Sequence, residues 1–322
     1  MKRVVVVGGG SGTFNVLKGL KHYPVAITAI VTAFDSGGSS GLLRDEFGTL
    51  PPGDVRRCLV ALAPEGEDTT LRDLFSFRFK KDSSLQGHNF GNLFLQALIE
   101  TSGGELEAIR RAARLLNIKG AVLPVSTDRA HLCAELEDGA VIKGETNIDI
   151  PKHDGALKIT RVFLEPAASL CDDARRVLQE ADLIIFGPGD LYSSIIPNTL
   201  VRGFGEAVKK SRAKTCFVMN AMTKWGETNG FAAPDFAKEL LHYLRLSRFD
   251  FIICNASSFE PELLARYKKE RAEPVAAALP ALRAYTHAVL HEDVLHRSDI
   301  VRHDPQKLAA ALARLLDVHR EG

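Results

Sequence analysis

The sequence predicts an α/β fold, a Rossmann-like, doubly wound and mostly parallel sheet, and three observations carry that prediction. The chain opens with Arg3–Val7, apolar from Val4 onward, then Gly8-Gly9-Gly10-Ser11-Gly12-Thr13, then Phe14, Val16, Leu17 and Leu20 at helical spacing. Strand, glycine turn and helix in that order is the opening unit of such a sheet. The apolar runs do not alternate with polar residues, which suits strands covered on both faces. Similar runs recur and end in polar or glycine residues, at Phe34-Asp35, Phe186-Gly187, Met219-Asn220 and Cys254-Asn255. Ligands of these sheets lie outside the carboxyl ends of the strands, so the repeated polar ends predict a cleft along one edge.

The elements follow in order. The glycines at 8, 10 and 12 only approximate a dinucleotide fingerprint, whose last glycine is replaced here by Thr13. A helix N-terminus placed there still attracts a phosphate through its free N–H groups; a tight turn without a ligand is the alternative. Ala26–Phe34 reads as the second strand and delivers Asp35. The stretch Asp35–Asp54, DSGGSSGLLRDEFGTLPPGD, packs five glycines and three serines between two carboxylates. It reads either as a loop that brings backbone N–H groups close to an anion or as an exposed flexible loop. The aspartates themselves would hold a hydroxyl, a metal ion or the loop's own N–H groups.

Pro51-Pro52-Gly53-Asp54 reads as a turn with Asp54 as N-cap of a helix whose buried stripe is Val55, Cys58, Leu59 and Leu62. Arg56 and Arg57 fall in its first turn, where the dipole disfavours cations, which predicts a pairing with Asp54, Asp45 or an anionic ligand, or a plain surface ion pair. Leu71–Phe79 and Phe90–Ile99 are helical in pattern, separated by residues 80–84 and by Gly87-His88-Asn89-Phe90-Gly91-Asn92. His88 is the histidine with a candidate polar role, although capping or packing is the commoner fate. Glu105–Leu116 forms another amphipathic helix. Ala121–Leu164 changes to short strands with Asp138-Gly139 as a hairpin turn, a β-rich excursion over about 120–165 within one domain spanning 1–322. Cys171–Glu180, Leu183–Phe186, Cys216–Met219 and Phe251–Cys254 resume the doubly wound texture, and Leu308–Leu316 closes it as a helix.

Composition bounds the function. Apolar residues make up 45% and charged residues 25%, as in globular proteins, and 41 basic against 40 acidic residues leave no global field for nucleic acid or an anionic membrane. The five cysteines form no metal-binding spacing and read as reduced, mostly buried residues. No apolar run reaches membrane-spanning length, and the start is too short for a signal-peptide core, so a cytoplasmic protein is expected. No Ser/His/Asp set or zinc spacing stands out; Ser39, Ser40 and His88 admit a nucleophile-and-base reading, but glycine-loop serines more often bind phosphate.

The ordered set VVVVGGGSGT, ITAIVTAFDSGGSSGLLRDEFGTLPPGDVRRCLVAL, GHNFGNLFLQAL, ADLIIFGPGDLYSSIIPN, NAMTKWGETNG and VRHDP, running from residue 4 to about 305, resembles the YvcK/CofD family and most its YvcK-like gluconeogenesis-factor branch. The resemblance implies a Rossmann-like fold, a homodimer and a nucleotide-type ligand on the sheet edge. For the YvcK-like branch it implies UDP-N-acetylglucosamine, a role in carbon flux and cell envelope or shape, an unidentified protein partner, and no established reaction. For the CofD branch it implies a 2-phospho-L-lactate transferase acting on the deazaflavin precursor Fo, with Mg²⁺ held by Asp35, the one catalytic candidate. By position, Gly9, Gly10, Ser11, Gly12, Thr13, Asp35, Ser36, Ser39 and Ser40 would line the diphosphate region. Asn89, Asn92, Gly187, Gly189, Asp190 and Asn220 would complete the cleft, and Tyr267 with Arg302 would take the uridine. The spacing of Leu263, Leu264 and Tyr267 equally suits a core stripe, and Arg302 equally suits a pair with Asp304.

The chain departs from the resembled pattern at Ser36, where a second aspartate is common, at Asp190 in place of serine, and at Lys224-Trp225 in place of Gln-Pro. Asp190 beside a diphosphate is repulsive unless a cation sits between. GHNFGN also stands where the CofD branch has a charged segment. The binding reading predicts ligand uptake without turnover. The transferase reading predicts Mg²⁺-dependent turnover, with Asp54 or Asp190 helping Asp35 hold the metal and the glycine loops stabilising charge. An NAD-linked enzyme is a third reading that lacks its full fingerprint.

Overall fold

The computed structural model describes residues 1–66, 68–80, 83–296 and 299–320. Strand β1 (Lys2–Gly8) is followed by α1 (Gly10–Leu20), β2 (Val25–Val31), α2 (Gly38–Phe47), α3 (Gly53–Leu62), α4 (Thr70–Ser76), α5 (Phe90–Ser102), α6 (Glu105–Leu115) and β3 (Ala121–Pro124). Then come β4 (His131–Leu136), β5 (Val141–Lys143), α7 (Glu145–Asp149), β6 (Ile159–Glu165), α8 (Asp172–Glu180), β7 (Leu183–Phe186), a π-helical turn (Leu191–Ile195) and α9 (Ile196–Thr199). The chain continues through α10 (Phe204–Lys210), β8 (Lys214–Val218), α11 (Ala233–Leu244), β9 (Phe249–Asn255), α12 (Pro261–Lys269) and α13 (Leu279–Leu282). It ends with β10 (Thr286–Glu292), β11 (Leu295–His296), β12 (Arg302–His303) and α14 (Pro305–Leu316).

Seven strands form the central sheet in the order β10-β9-β8-β7-β1-β2-β3, and every neighbouring pair is parallel. The chain winds outward from β1 to β3, then returns to β7 and winds outward the other way. The order therefore reverses between β1 and β7, the position where such sheets open a crevice. Residues of β1 alternate between two cores: Val5 and Val7 face one side, Val4 and Val6 the other, and all four are buried. This double coverage explains the unbroken apolar run, and burying each valine contributes about 1.5–3 kcal/mol. Side chains of α1, α3, α6 and α14 fill one core; α8, α10, α11 and the small antiparallel sheet β5-β4-β6 fill the other.

Several boundaries differ from expectation. Ala121–Pro124 pairs in parallel with β2 as the edge of the central sheet, so the excursion proper is β4, β5, β6 and α7; Asp138-Gly139 does join antiparallel strands. The second strand stops at Val31, and Asp35 stands beyond it. Most of the glycine–serine stretch is helical, not loop: α2 starts at Gly38, and a Cβ on Gly41 would lie 2.1 Å from the Ser36 carbonyl oxygen. Leu42, Leu43, Arg44 and Glu46 are good helix formers, and they outweigh the glycines once the first turn is closed. Helix α4 ends at Ser76, because the backbone of Phe77 and Phe79 pairs instead with Phe90 and His88. The break expected at 80–84 includes Lys81 and Asp82, which lie outside the described residues. All five cysteines are free, and four are buried. Among the described residues no helix is long and apolar enough to cross a membrane.

Candidate functional site

The turn after β1 and the turn after β7 interlock at the reversal point. Gly10 adopts a left-handed φ of +67°, and a Cβ on Gly12 would lie 2.1 Å from the Pro188 carbonyl oxygen, so only glycine permits this approach. Helix α1 has no side-chain cap and no acid in its first turn, which leaves its N-terminal N–H groups for a ligand. One of them is taken: Gly10 N–H donates to Asp54 Oδ1 at 2.8 Å. Asp54 is therefore not the cap that its position suggested. Helix α3 starts at Gly53 after Pro52, and Asp54 turns across to the glycine loop. It is buried, and burial together with the Asp35 charge pushes its pKa up to about 6.

A cleft of ≈ 360 Å³ opens here, lined by Gly10, Ser11, Asp35, Ser39, Ser40, Asp54, Arg56, Arg57, Arg78, Asn92, Glu145, Thr146, Asp149 and Asp190, among others. Asp35 Oδ1 accepts the Gly37 N–H at 2.8 Å, and the Glu145 side chain is hydrogen-bonded to Asp35. Burial and the charges of Asp35 and Asp149 push the pKa of Glu145 up. Ser36 turns away from the cleft and anchors α7, its hydroxyl accepting the Thr146 N–H at 3.0 Å.

Asn92 ties the serines to the arginine. Its Nδ2 lies 3.3 Å from Ser39 Oγ and 3.4 Å from Ser40 Oγ, and its Oδ1 accepts from Arg56 Nε at 2.9 Å. Arg56 also donates to the Phe75 carbonyl at 3.1 Å; burial and the neighbouring arginines pull its pKa down to about 10, so it stays charged. Arg57, half exposed, pairs with Asp54 at 3.5 Å. His88 Nδ1 lies 3.3 Å from Ser39 Oγ, while Asn89 caps α5 by accepting the Asn92 N–H.

A second hollow of ≈ 170 Å³ adjoins the first, with Ser11 and Asp190 in both walls. It is lined by Gly12, Asn15, Gly189, Asn220, Tyr267 and Arg302, among others. Asn220 donates to the Gly189 carbonyl at 2.7 Å, and Tyr267 Oη accepts the Val301 N–H at 3.0 Å. Tyr267 is half buried on a helix with no buried residue, so it is not part of a core stripe. Asp304 caps α14 and makes no ion pair with Arg302, whose side chain is exposed. Gly9, Thr13, Asn89 and Gly187 are buried or structural and line neither hollow; Thr13 is wholly buried beneath the turn. A larger hollow of ≈ 870 Å³ lies between α10 and the end of α11 and contains none of the predicted residues.

The departures at 190 and 224 meet each other. Lys224 Nζ lies 2.9 Å from Asp190 Oδ2 and 3.5 Å from Glu227 Oε1, and it also contacts Asp149. The cation that Asp190 requires is a side chain of the same molecule. Glu145, Asp149 and Glu227 were not expected from the sequence; the only signal for the first two is their i, i+4 spacing after the left-handed Gly144.

Known proteins agree with this architecture. A family model described as 2-phospho-L-lactate transferase CofD matches residues 4–295. The chain belongs to the YvcK/CofD family. It is 40% identical over 316 residues to a Bacillus subtilis protein named gluconeogenesis factor, covering 98% of each chain. It is 40% identical over 313 residues to the Halalkalibacterium halodurans protein of the same name, covering 97% of this chain and 95% of that one. A crystal structure of a Bacillus halodurans protein of the UPF0052 family superposes with TM-score 0.91 at 38% identity, covering 97% of this chain and 98% of that one.

Proposed function

We propose that this YvcK/CofD-family chain is a cytoplasmic nucleotide-sugar binding protein that takes UDP-N-acetylglucosamine or a close relative. In this reading it regulates carbon flux and envelope growth, including cell shape, through an unidentified protein partner, and works as a homodimer. One observation carries it: two confluent hollows share Ser11 and Asp190, one rich in N–H groups and arginines, the other flanked by an aromatic ring and an exposed guanidinium. The first suits a diphosphate and a sugar, and the second suits a flat base that stacks on Tyr267 and bonds Arg302. The names of the relatives support the gluconeogenic context.

The experiment is calorimetric titration of the protein with UDP-N-acetylglucosamine, with and without Mg²⁺, beside Tyr267→Ala and Arg302→Ala. We expect binding that both substitutions weaken by tenfold or more, with the sugar nucleotide recovered intact. Absence of binding by any uridine nucleotide would overturn the reading.

A second reading, a metal-dependent phospholactyl or phosphoryl transferase, is favoured by Asp35, Glu145 and Asp54 facing one cleft. Burial and the Asp35 charge push the pKa values of Asp54 and Glu145 up, which marks a carboxylate set that a divalent cation would relieve, so the residues fit Mg²⁺. Asp35 and Glu145 would hold the ion, which would supply charge neutralisation to a transferring phosphoryl group. The α1 N-terminus, Arg56 and Arg57 would orient that group. Mg²⁺-dependent transfer to Fo, abolished by Asp35→Asn, would move the protein to this class.

A further inference from the structure

Lys224 follows β8 in the segment before Glu227, where carboxylates from three separate parts of the chain converge: Asp149 at the end of α7, Asp190 after β7, and Glu227. One oxygen from each lies within 4.8 Å of the other two. Glu227 is fully buried, and its other partners are the Tyr192 N–H at 3.0 Å and the Ser193 hydroxyl at 2.9 Å, both from the π-helical turn. Asp149 and Asp190 stand in the wall of the cleft, so this cluster forms its backing at that end.

Three carboxylates at this spacing repel unless a cation joins them, and oxygen donors so arranged would also suit a divalent ion. An ammonium group contacts all three instead. Burial opposes the Lys224 charge, but Glu227, Asp190 and Asp149 outweigh it and hold its pKa above the ordinary lysine value. An ammonium has three donors, and here three acids surround it, so Lys224 does not reach out to a ligand. Its role is to position and neutralise Asp190, which stands at the junction of the two hollows.

We propose that Lys224 is a built-in cation, its ammonium standing where a divalent ion would otherwise sit among Asp149, Asp190 and Glu227. This end of the cleft then carries its positive charge covalently and needs no metal there. The position is distinct from Asp35, so the proposal does not depend on which reading of the function holds.

The test uses Mn²⁺ alone as probe, counted by the loss of its free electron-paramagnetic-resonance signal, so failure of the nucleotide-sugar reading leaves it unaffected. Lys224→Met should bind one more Mn²⁺ per chain than the wild type, with a dissociation constant tenfold or more below that of any wild-type binding at this site. Lys224→Met/Asp190→Ser, lacking one of the three acids, should return to the wild-type count. A folded Lys224→Met that binds no additional ion overturns the proposal, as does a double variant that keeps the extra ion. If Lys224→Met is unfolded in EDTA, recovery of its circular dichroism on adding Mn²⁺ supports the proposal, and no recovery overturns it.

Discussion

The backbone N–H of Gly10 donates to Asp54 Oδ1 at 2.8 Å, which binds the first glycine turn to the start of α3. A Cβ on Gly9 would lie 2.2 Å from the other oxygen of the same carboxyl group, so the fit leaves no slack. The carboxyl is buried beside Asp35, which raises its pKa to about 6 against an ordinary value of about 4. An acid with a raised folded-state pKa favours the native state while protonated, so stability declines as pH rises from about 4 to about 6. Asn keeps the accepting oxygen without the charge. Asp54→Asn should therefore stabilise the unliganded protein by up to about 3 kcal/mol at pH 8 and by almost nothing at pH 4. Urea denaturation at the two pH values measures the difference, and an equal effect at both would contradict the assignment.

The approach of α1 to the turn after β7 makes Gly12 a packing residue as well as a ligand candidate. The atom a new Cβ would meet is a backbone carbonyl oxygen, which cannot rotate away. Gly12→Ala should lower stability by about 1–3 kcal/mol through overpacking. Gly66→Ala, whose Cβ would meet open space, should stay within about 0.5 kcal/mol of wild type. Thermal melts of the two variants side by side test the contrast.

Arg56 and Arg57 are neighbours with different work. Arg56 is buried and joins Asn92 and the Phe75 carbonyl, so it ties α3 to α4 and α5. Removing it strands both acceptors, and Arg56→Ala should cost about 2–4 kcal/mol of stability. Arg57 has a side chain 47% exposed, and its pair with Asp54 at 3.5 Å is screened by water. Arg57→Ala should change stability by less than about 0.5 kcal/mol, yet weaken binding of inorganic pyrophosphate severalfold. Denaturation and calorimetry on the same samples separate the two roles.

The parallel sheet was legible because burial on both faces writes itself into sequence as Val4–Val7 and Leu183–Phe186, runs with no polar interruption. The glycine turns were legible for a similar reason, since close backbone approach admits no other residue. Asp54 was read as a cap because a local rule of helix starts was applied, while its partner lay 44 residues away. The group of Lys224, Asp149, Asp190 and Glu227 is assembled from three distant segments, and apart from Lys224 and Glu227, three residues apart, no spacing rule links its members. Its only trace was that Asp190 lacked a cation, a conflict the fold resolves.

His303 gives the fold a dependence on acid. It is buried beside the exposed Arg302 in β12, its Nε2 has no hydrogen-bond partner among the described residues, and burial pulls its pKa down to about 4. A base with a lowered folded-state pKa contributes stability that is complete above about pH 6.5 and is lost as pH falls toward 4. The loss amounts to at most about 3 kcal/mol, the span between the two values at 1.36 kcal/mol per pKa unit. Asp54 acts in the opposite direction across part of this window, because it gains a proton in the native state first. Asp293, held down to about 2 by Lys307 and Ser257, acts below the window. The wild-type curve alone therefore mixes these groups, but the difference between wild type and His303→Gln isolates one. That difference should change by up to about 3 kcal/mol between pH 7 and pH 4, the variant losing less on acidification. A constant difference across the range would show that burial leaves the His303 pKa unshifted.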